Sequence, residues 1–225
     1  MFKELIAVFK NDSLMQRAYE RSYEMLDRTH AMFLQAREIL REKDQKLTDL
    51  SINDEDHEIN KYQKEVRRDV FEHLLLAGTN ELAAGLVLVS IVIDLERIGD
   101  YTKNIVEIAS EHSAMLKLGM YDKDLVTLEH DVIDYFEKAS ICFKNSDEEL
   151  GRKLLAEYRS VSRKCDELLM SLLRGEDGTI SVSSAVALTL YIRSLKRIYS
   201  HLRNIVTSVV NKFPRIGFKP KKKKQ

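Results

Sequence analysis

The amino-acid sequence predicts an all-α protein: two tandem three-helix bundles made of six long helices, with a short amphipathic helix at the N-terminus. Three observations carry that prediction. Of 225 residues, 44% are apolar and 32% charged, a composition that can bury a core. With 8 Gly and 2 Pro, however, the chain lacks the punctuation that a sandwich, a barrel or a doubly wound sheet needs at its many turns. Finally, apolar residues recur at helical spacing over long stretches, and one stretch returns a hundred residues later.

Taken in order, Phe2, Leu5, Ile6 and Phe9 fall at i, i+3, i+4 and i+7 and predict the short amphipathic helix. Asn11-Asp12-Ser13 closes it and supplies a cap for a first long helix running to about Lys46. The polar stretch from Thr48 to Asn53 reads as a loop, followed by a helix from about Asp54 to Ala77 that ends on Gly78. A third covers about Asn80 to Leu118 and is stopped by Gly119, and a fourth covers about Asp122 to Lys144. Ser146-Asp147-Glu148-Glu149 has the S-x-x-E form of a capping box and opens a fifth helix to about Arg174. After the turn Gly175 to Gly178, a sixth runs from about Ser181 to Lys212 and stops before Pro214, leaving a disordered basic tail.

Laying Val92 to Ile108 over Ile192 to Ser208 pairs Leu95, Arg97, Ile98, Asn104, Ile105 and Val106 with identical residues at 195, 197, 198, 204, 205 and 206. Both segments lie in the third helix of a triplet, so the expected units are 1–119, 120–213 and a tail at 214–225. Lys and Arg total 36, as do Asp and Glu, so no global basic field points to nucleic acid. Five of the lysines, Lys219 and Lys221 to Lys224, lie in the last seven residues, leaving a body of net −5 with a basic tail. That cluster is suited to peripheral contact with an anionic membrane surface. The N-terminus lacks the h-region and cleavage site of a signal peptide. The longest nearly apolar run, Ala83 to Ile93, has eleven residues, against the ~20 that span a bilayer. Cys142 and Cys165 form no C-x-x-C pair and read as buried thiols of a reducing compartment. A cytoplasmic protein is expected.

The residues with chemical potential lie in the third helix. Ala84, Leu88, Val92, Glu96, Asp100 and Asn104 form one i, i+4 row, so two carboxylates continue a row that begins apolar. The solvent face is expected through Ser90, Asp94, Arg97 and Tyr101. Like charges at i, i+4 repel by about 0.2–0.5 kcal/mol even when exposed, and a hard cation would compensate them. Gly99 costs its helix ~1 kcal/mol against alanine, which suggests that a neighbouring backbone or an ion requires close approach there. A second acidic cluster, Asp54-Glu55-Asp56-His57-Glu58, opens the preceding helix, with Asn60 one turn beyond Asp56. It equally suits simple complementation of a helix dipole. Antiparallel pairing of the two helices would carry Asp56 toward Glu96 and Asp100.

Asp94-Leu95-Glu96-Arg97-Ile98-Gly99-Asp100, with Asn104-Ile105 beyond it, resembles the D-L-E-R-I-G-D-x-x-x-N-I signature of the PhoU family, and Asp56-x-x-Ile59-Asn60 is similar to the D-x-x-[IV]-[ND] element of its preceding helix. The resemblance implies two PhoU-type three-helix bundles and a non-enzymatic cytoplasmic regulator of phosphate uptake. Its partners would be a membrane phosphate transporter and a phosphate-sensing kinase, and a homodimer is compatible with it. By the same resemblance Asp56, Glu96 and Asp100 would ligate a divalent ion such as Fe, Zn, Mn or Mg, with Asn60, Arg97 and Asn104 around them. The second repeat departs from the pattern, reading Leu195-Lys196-Arg197-Ile198-Tyr199-Ser200, and Gln63 stands where many relatives carry glutamate. A divergent member with one acidic site is therefore expected. The alternative is a metal-free helical adaptor for another transporter or signalling partner. Neither an E-x-x-H pair, a P-loop nor a G-x-G-x-x-G argues for an enzyme.

Overall fold

The computed structural model describes residues 13–42, 49–77, 81–112 and 115–220. The expected N-terminal helix carrying Phe2, Leu5, Ile6 and Phe9 lies outside the described residues, as do Lys221 to Lys224. The described chain is all-α, with six long helices: α1 (Ser13–Glu42), α2 (Asp49–Ala77), α3 (Leu82–Glu111), α4 (Asp122–Asn145), α5 (Glu148–Arg174) and α6 (Val182–Val210). None of them is long and apolar enough to cross a membrane.

Each helix buries one stripe. On α1, Met15, Ala18, Met25, Leu26, Phe33 and Leu40 are all fully buried, the three-and-four spacing of a helix face turned to a core. α1, α2 and α3 pack on one another, as do α4, α5 and α6, and the two triplets meet along α3 against α6 and α1 against α4. Their buried apolar residues form one continuous cluster. The third helices run antiparallel: Asp94 lies opposite His201 and Asn204, and Tyr101 opposite Arg197.

Two buried carboxylates tie helices together. Asp69 on α2 accepts two hydrogen bonds from Arg17, at 2.8 Å each, and a third from Arg21. Burial alone would raise its carboxyl, but the two guanidinium groups outweigh that and hold it below the usual carboxylate range. Glu129 on α4 is wholly buried, accepts a 2.7 Å hydrogen bond from the Tyr191 hydroxyl of α6, and pairs with Arg37 and Arg41 of α1. It joins the triplets.

Several boundaries differ from the sequence expectation. α2 begins at Asp49 inside the stretch expected to be a loop, because Ile52 is buried and is carried into the core by the extra turn. α3 ends at Glu111, not near Leu118. Gly119 instead opens a 3-10 turn with φ +53°, where a Cβ would sit 2.0 Å from Asp177 Oδ2, the oxygen that accepts from the Met120 amide. Only glycine fits there. Ser146 is not the cap of α5: it adopts φ 51° at the end of α4, and Asp147 caps α5 by accepting from the amides of Glu149 and Leu150.

The expectation of a disordered tail from Pro214 is corrected over its first half. Phe213–Arg215 form a 3-10 turn, and the following residues fold back on α6. Asn211 donates to the carbonyls of Arg215 and Phe218, the Gly217 amide donates to Thr207, and Arg203 donates to the Gly217 carbonyl. The side chains of Arg203, Thr207 and Asn211 at the C-terminal end of α6 thus capture the backbone of the segment. Cys142 and Cys165 are buried, and burial pushes both thiols up to about 12, so neither is a thiolate at neutral pH.

Candidate functional site: the acidic face between the second and third helices

α2 and α3 are antiparallel, with Ile59 and Asp56 of α2 packed opposite Gly99 of α3. Asp56 therefore lies at the level of the Glu96–Asp100 pair. Only 6% of its surface is exposed. Its Oδ2 accepts from Asn60 Nδ2 at 3.1 Å and from the Lys103 ammonium at 3.0 Å, while its buried Oδ1 has no hydrogen-bond partner. Asn60 thus orients Asp56 from one turn away on the same helix.

On α3, Glu96 and Asp100 share a cation from within the chain. Arg97 donates to Asp100 at 2.8 Å and stands 3.6 Å from Glu96. Burial raises the Glu96 carboxyl above its ordinary value, Asp100 raises it further, Arg97 opposes, and Asp56 adds a last upward push. The three carboxylates therefore sense one another across the two helices. The Lys103 ammonium is raised as well: its hydrogen bond to Asp56 raises it, against burial, which lowers it. Lys103 was absent from the sequence-derived set, although its place seven residues beyond Glu96 puts it on the same face. It also lines a cavity of about 160 Å³ with Asn53, Glu107 and Ser110, which leaves room for its head group to move.

Gly99 is not required by close approach. A Cβ there would lie 3.6 Å from Ile59 Cδ1 and 3.9 Å from Asp56 Oδ1, ordinary contact distances. The expected solvent face of α3 is also corrected. Asp94 accepts from Asn204 Nδ2 at 2.9 Å and lies 2.7 Å from His201 Nδ1, both on α6, and the Tyr101 hydroxyl accepts from Arg197 at 3.0 Å. Half of the signature helix binds α2 and the other half binds the second triplet. Asn104 belongs to that second half: with Tyr101, Glu107, Ile108, Leu190 and Arg193 it lines a groove of about 460 Å³ between α3 and α6.

The donor set of Asp56, Glu96 and Asp100 is all oxygen, the chemistry that suits a hard cation, and the orphaned Oδ1 of Asp56 is an unused acceptor. As arranged, Lys103 and Arg97 already neutralise these acids. Among the described residues no group of three or more His, Cys, Asp or Glu is positioned to hold a metal ion.

The second triplet carries different residues at the corresponding positions. Lys196 stands in place of Glu96 and pairs with Asp166 of α5. Tyr199 stands in place of Gly99, is almost wholly buried, and stacks on Tyr158 at 5.2 Å with Tyr135 4.4 Å away. An aromatic cluster fills the level that the first triplet gives to carboxylates.

The match to a known family falls on the helices that form the acidic face: residues 22–109 match the PhoU domain. That match covers most of the first triplet. The fold likeness extends further than that sequence match. The chain resembles the crystal structure of PhoU from Pseudomonas aeruginosa with a TM-score of 0.80 at 20% identity, covering 88% of this chain and 96% of that one. It resembles the phosphate transport system regulatory protein PhoU from Streptococcus pneumoniae with a TM-score of 0.77 at 17% identity, covering 87% and 93%. No curated protein matches it in sequence. The fold likeness thus extends over the second triplet, where the family model does not match and Lys196 and Ser200 stand at the positions of Glu96 and Asp100.

Proposed function

We propose that the chain is a non-enzymatic regulator of phosphate transport that acts through protein–protein contact with a membrane phosphate transporter, a phosphate-sensing kinase, or both. The observation that carries this reading is the PhoU domain at residues 22–109, with its D-L-E-R-I-G-D helix turned toward Asp56. Such partners would place the chain in the cytoplasm, close to the inner face of a membrane. The proposed regulatory element is the acidic face, with Asp56, Glu96 and Asp100 as ligands for a divalent ion and Asn60, Arg97 and Asn104 around them. An ion would enter by displacing Lys103 from Asp56 and Arg97 from Glu96 and Asp100. Both are long side chains with solvent-reaching heads, and Lys103 has an adjoining cavity.

A second reading is favoured by one specific observation, the neutralisation of those acids by the chain's own Lys103 and Arg97. On that reading the protein is a metal-free adaptor whose paired acids form a docking face for a basic segment of its partner. Two measurements separate the possibilities. Pull-down from phosphate-replete and phosphate-starved cells should recover a phosphate transporter or its kinase, and recovery of an unrelated transporter alone would overturn the regulatory role. Titrating Mg, Mn, Fe or Zn should raise the melting temperature of the wild type but not of Glu96→Ala with Asp100→Ala. A wild type indifferent to every metal would leave the adaptor.

A further inference from the structure

At corresponding positions the two triplets carry opposite charge. Where the first has Glu96 and Asp100, the second has Lys196 and Ser200 on α6, with Arg197 and Arg203 beside them. α6 as a whole holds Arg193, Lys196, Arg197 and Arg203 and no Asp or Glu. A helix without acids cannot neutralise its cations by pairs at i, i+4, so they depend on the neighbouring helices. Those helices answer only in part. Lys196 pairs with Asp166 of α5. Arg197 donates to the Tyr101 hydroxyl and lies over the Tyr101 ring, while Arg203 donates to the Gly217 carbonyl and lies over the Tyr158 ring, and none of these groups cancels a charge. Asp94, the acid that α3 turns to α6, is taken up by His201 and Asn204.

α5 adds further cations to this face. Tyr158 stacks on Tyr199 and lies under the Arg203 guanidinium, and Asp166 reaches Lys196, so the turns of α5 between them run beside residues 196–203 of α6. Arg159 and Arg163 stand on those turns. Both are exposed, and their guanidinium groups have no ion pair or hydrogen bond among the described residues. They lie at i and i+4, the spacing at which like charges repel. The nearby acids of α5 do not relieve them: Asp166 holds Lys196, Glu157 lies within electrostatic reach of Lys138 of α4, and Glu167, one turn beyond Arg163, forms no pair with it. Five cations, at 159, 163, 196, 197 and 203, thus gather on one face with a single paired acid among them.

We propose that the α5–α6 face is a docking surface for an acidic segment of a partner protein, with Arg159 and Arg163 receiving its carboxylates and Arg197 bordering the site toward α3. Charge complementarity selects that occupant. The cations are spread along two exposed helix ridges, which fits the spaced side chains of a peptide, whereas a single small anion needs donors that converge on one point. A bilayer needs apolar side chains beside the basic ones, and no large apolar residue is exposed at 156–167 of α5 or 191–204 of α6. The inference deepens the reading of the chain as a regulator that works by protein–protein contact, and it rests on that reading. Its test contains neither transporter nor kinase, so the two fail separately.

The probe is a fluorescein-labelled peptide alternating Glu with Ala, titrated with the purified full chain and followed by fluorescence anisotropy, beside the same peptide with Gln in place of Glu. The wild type should bind the Glu peptide, lose that binding as salt rises, and ignore the Gln peptide. Arg159→Glu with Arg163→Glu should weaken binding by at least about tenfold, since each reversal turns an attraction into a like-charge contact. Arg159→Lys with Arg163→Lys keeps the charge and should stay within about threefold of the wild type. Lys64→Glu with Lys123→Glu changes the net charge equally at exposed positions on α2 and α4, and should alter binding by less than about twofold. All the substituted residues are exposed, and an unchanged circular dichroism melt confirms that the variants fold. A wild type indifferent to the Glu peptide overturns the proposal, as does a control that weakens binding as much as the Arg159/Arg163 reversal. Binding to phosphatidylglycerol vesicles but not to the peptide, lost in that reversal, would assign the face to a membrane instead. A reversal that lowers the solution mass of the protein would assign it to the acidic face of a second copy.

Discussion

Replacing Lys103 by methionine tests whether the acidic face is held together by its own cation. The substitution keeps the apolar stem and removes only the ammonium. Asp56 Oδ2 receives two hydrogen bonds in the wild type, from Lys103 and Asn60, and Oδ1 receives none, so the variant leaves a carboxylate that is 6% exposed with a single amide donor. Breaking a fully buried ion pair costs about 3–5 kcal/mol. The Lys103 side chain is 31% exposed, so solvent screens the pair and a charge-assisted hydrogen bond of about 1–3 kcal/mol is the better measure. For a chain of 225 residues each kcal/mol moves the melting temperature by about 2–4 °C, so the fall should be about 2–12 °C. Asp56→Asn should cost less, because Lys103 can then turn to water. The double variant should recover part of the loss, with a coupling above about 0.5 kcal/mol, the limit within which independent sites add. Thermal melts of the four proteins at one pH and low salt provide the assay. Additive single effects, or an unshifted Lys103→Met, would refute the pairing as the force that holds the site. Under the metal reading, Mn or Mg should restore the melting temperature of Lys103→Met, with the ion standing where the ammonium stood.

Other substitutions check the surrounding structure. Glu96→Gln should stabilise the protein near neutral pH by roughly 0.2–0.5 kcal/mol or more, by removing an i, i+4 repulsion. Because the folded state raises the Glu96 carboxyl, its ionisation opposes folding. The penalty is absent below the unfolded carboxylate value and grows as pH rises through the folded one, so the variant's advantage should vanish on acidification; a constant advantage would contradict the assignment. Gly99→Ala should raise stability by up to ~1 kcal/mol, since its Cβ meets only ordinary contacts, whereas Gly85→Ala should lower it because its Cβ would lie 2.8 Å from Val70 Cγ1. Equal effects at the two positions, measured by urea titration, would contradict that geometry. Glu129→Ala should cost about 3–5 kcal/mol by stranding Arg37, Arg41 and the Tyr191 hydroxyl at the junction of the triplets, and a loss below about 1 kcal/mol would show that this junction does not depend on it.

The number, order and class of the helices were legible in the chain, because apolar spacing, the scarcity of Gly and Pro and the hundred-residue repeat all report local periodicity, which needs no knowledge of neighbours. The antiparallel approach of Asp56 to Glu96 and Asp100 was legible too, since a short connection between two long helices leaves little choice of partner. Which face of α3 meets which neighbour was not. Asp94 and Tyr101 look like surface residues by composition, and only the packing of the two triplets brings His201, Asn204 and Arg197 against them. Boundaries misread from local signals moved for the same reason: Ile52 drew a further turn of helix into α2, and Asp177 fixed Gly119 in a turn. The sequence by itself determined six amphipathic helices and one row of acids. Tertiary structure alone decided that Lys103 pairs with Asp56 beside that row and that Asp94 is turned to His201 and Asn204, because contacts between residues far apart in the chain depend on how the helices are set against each other, which no local pattern records.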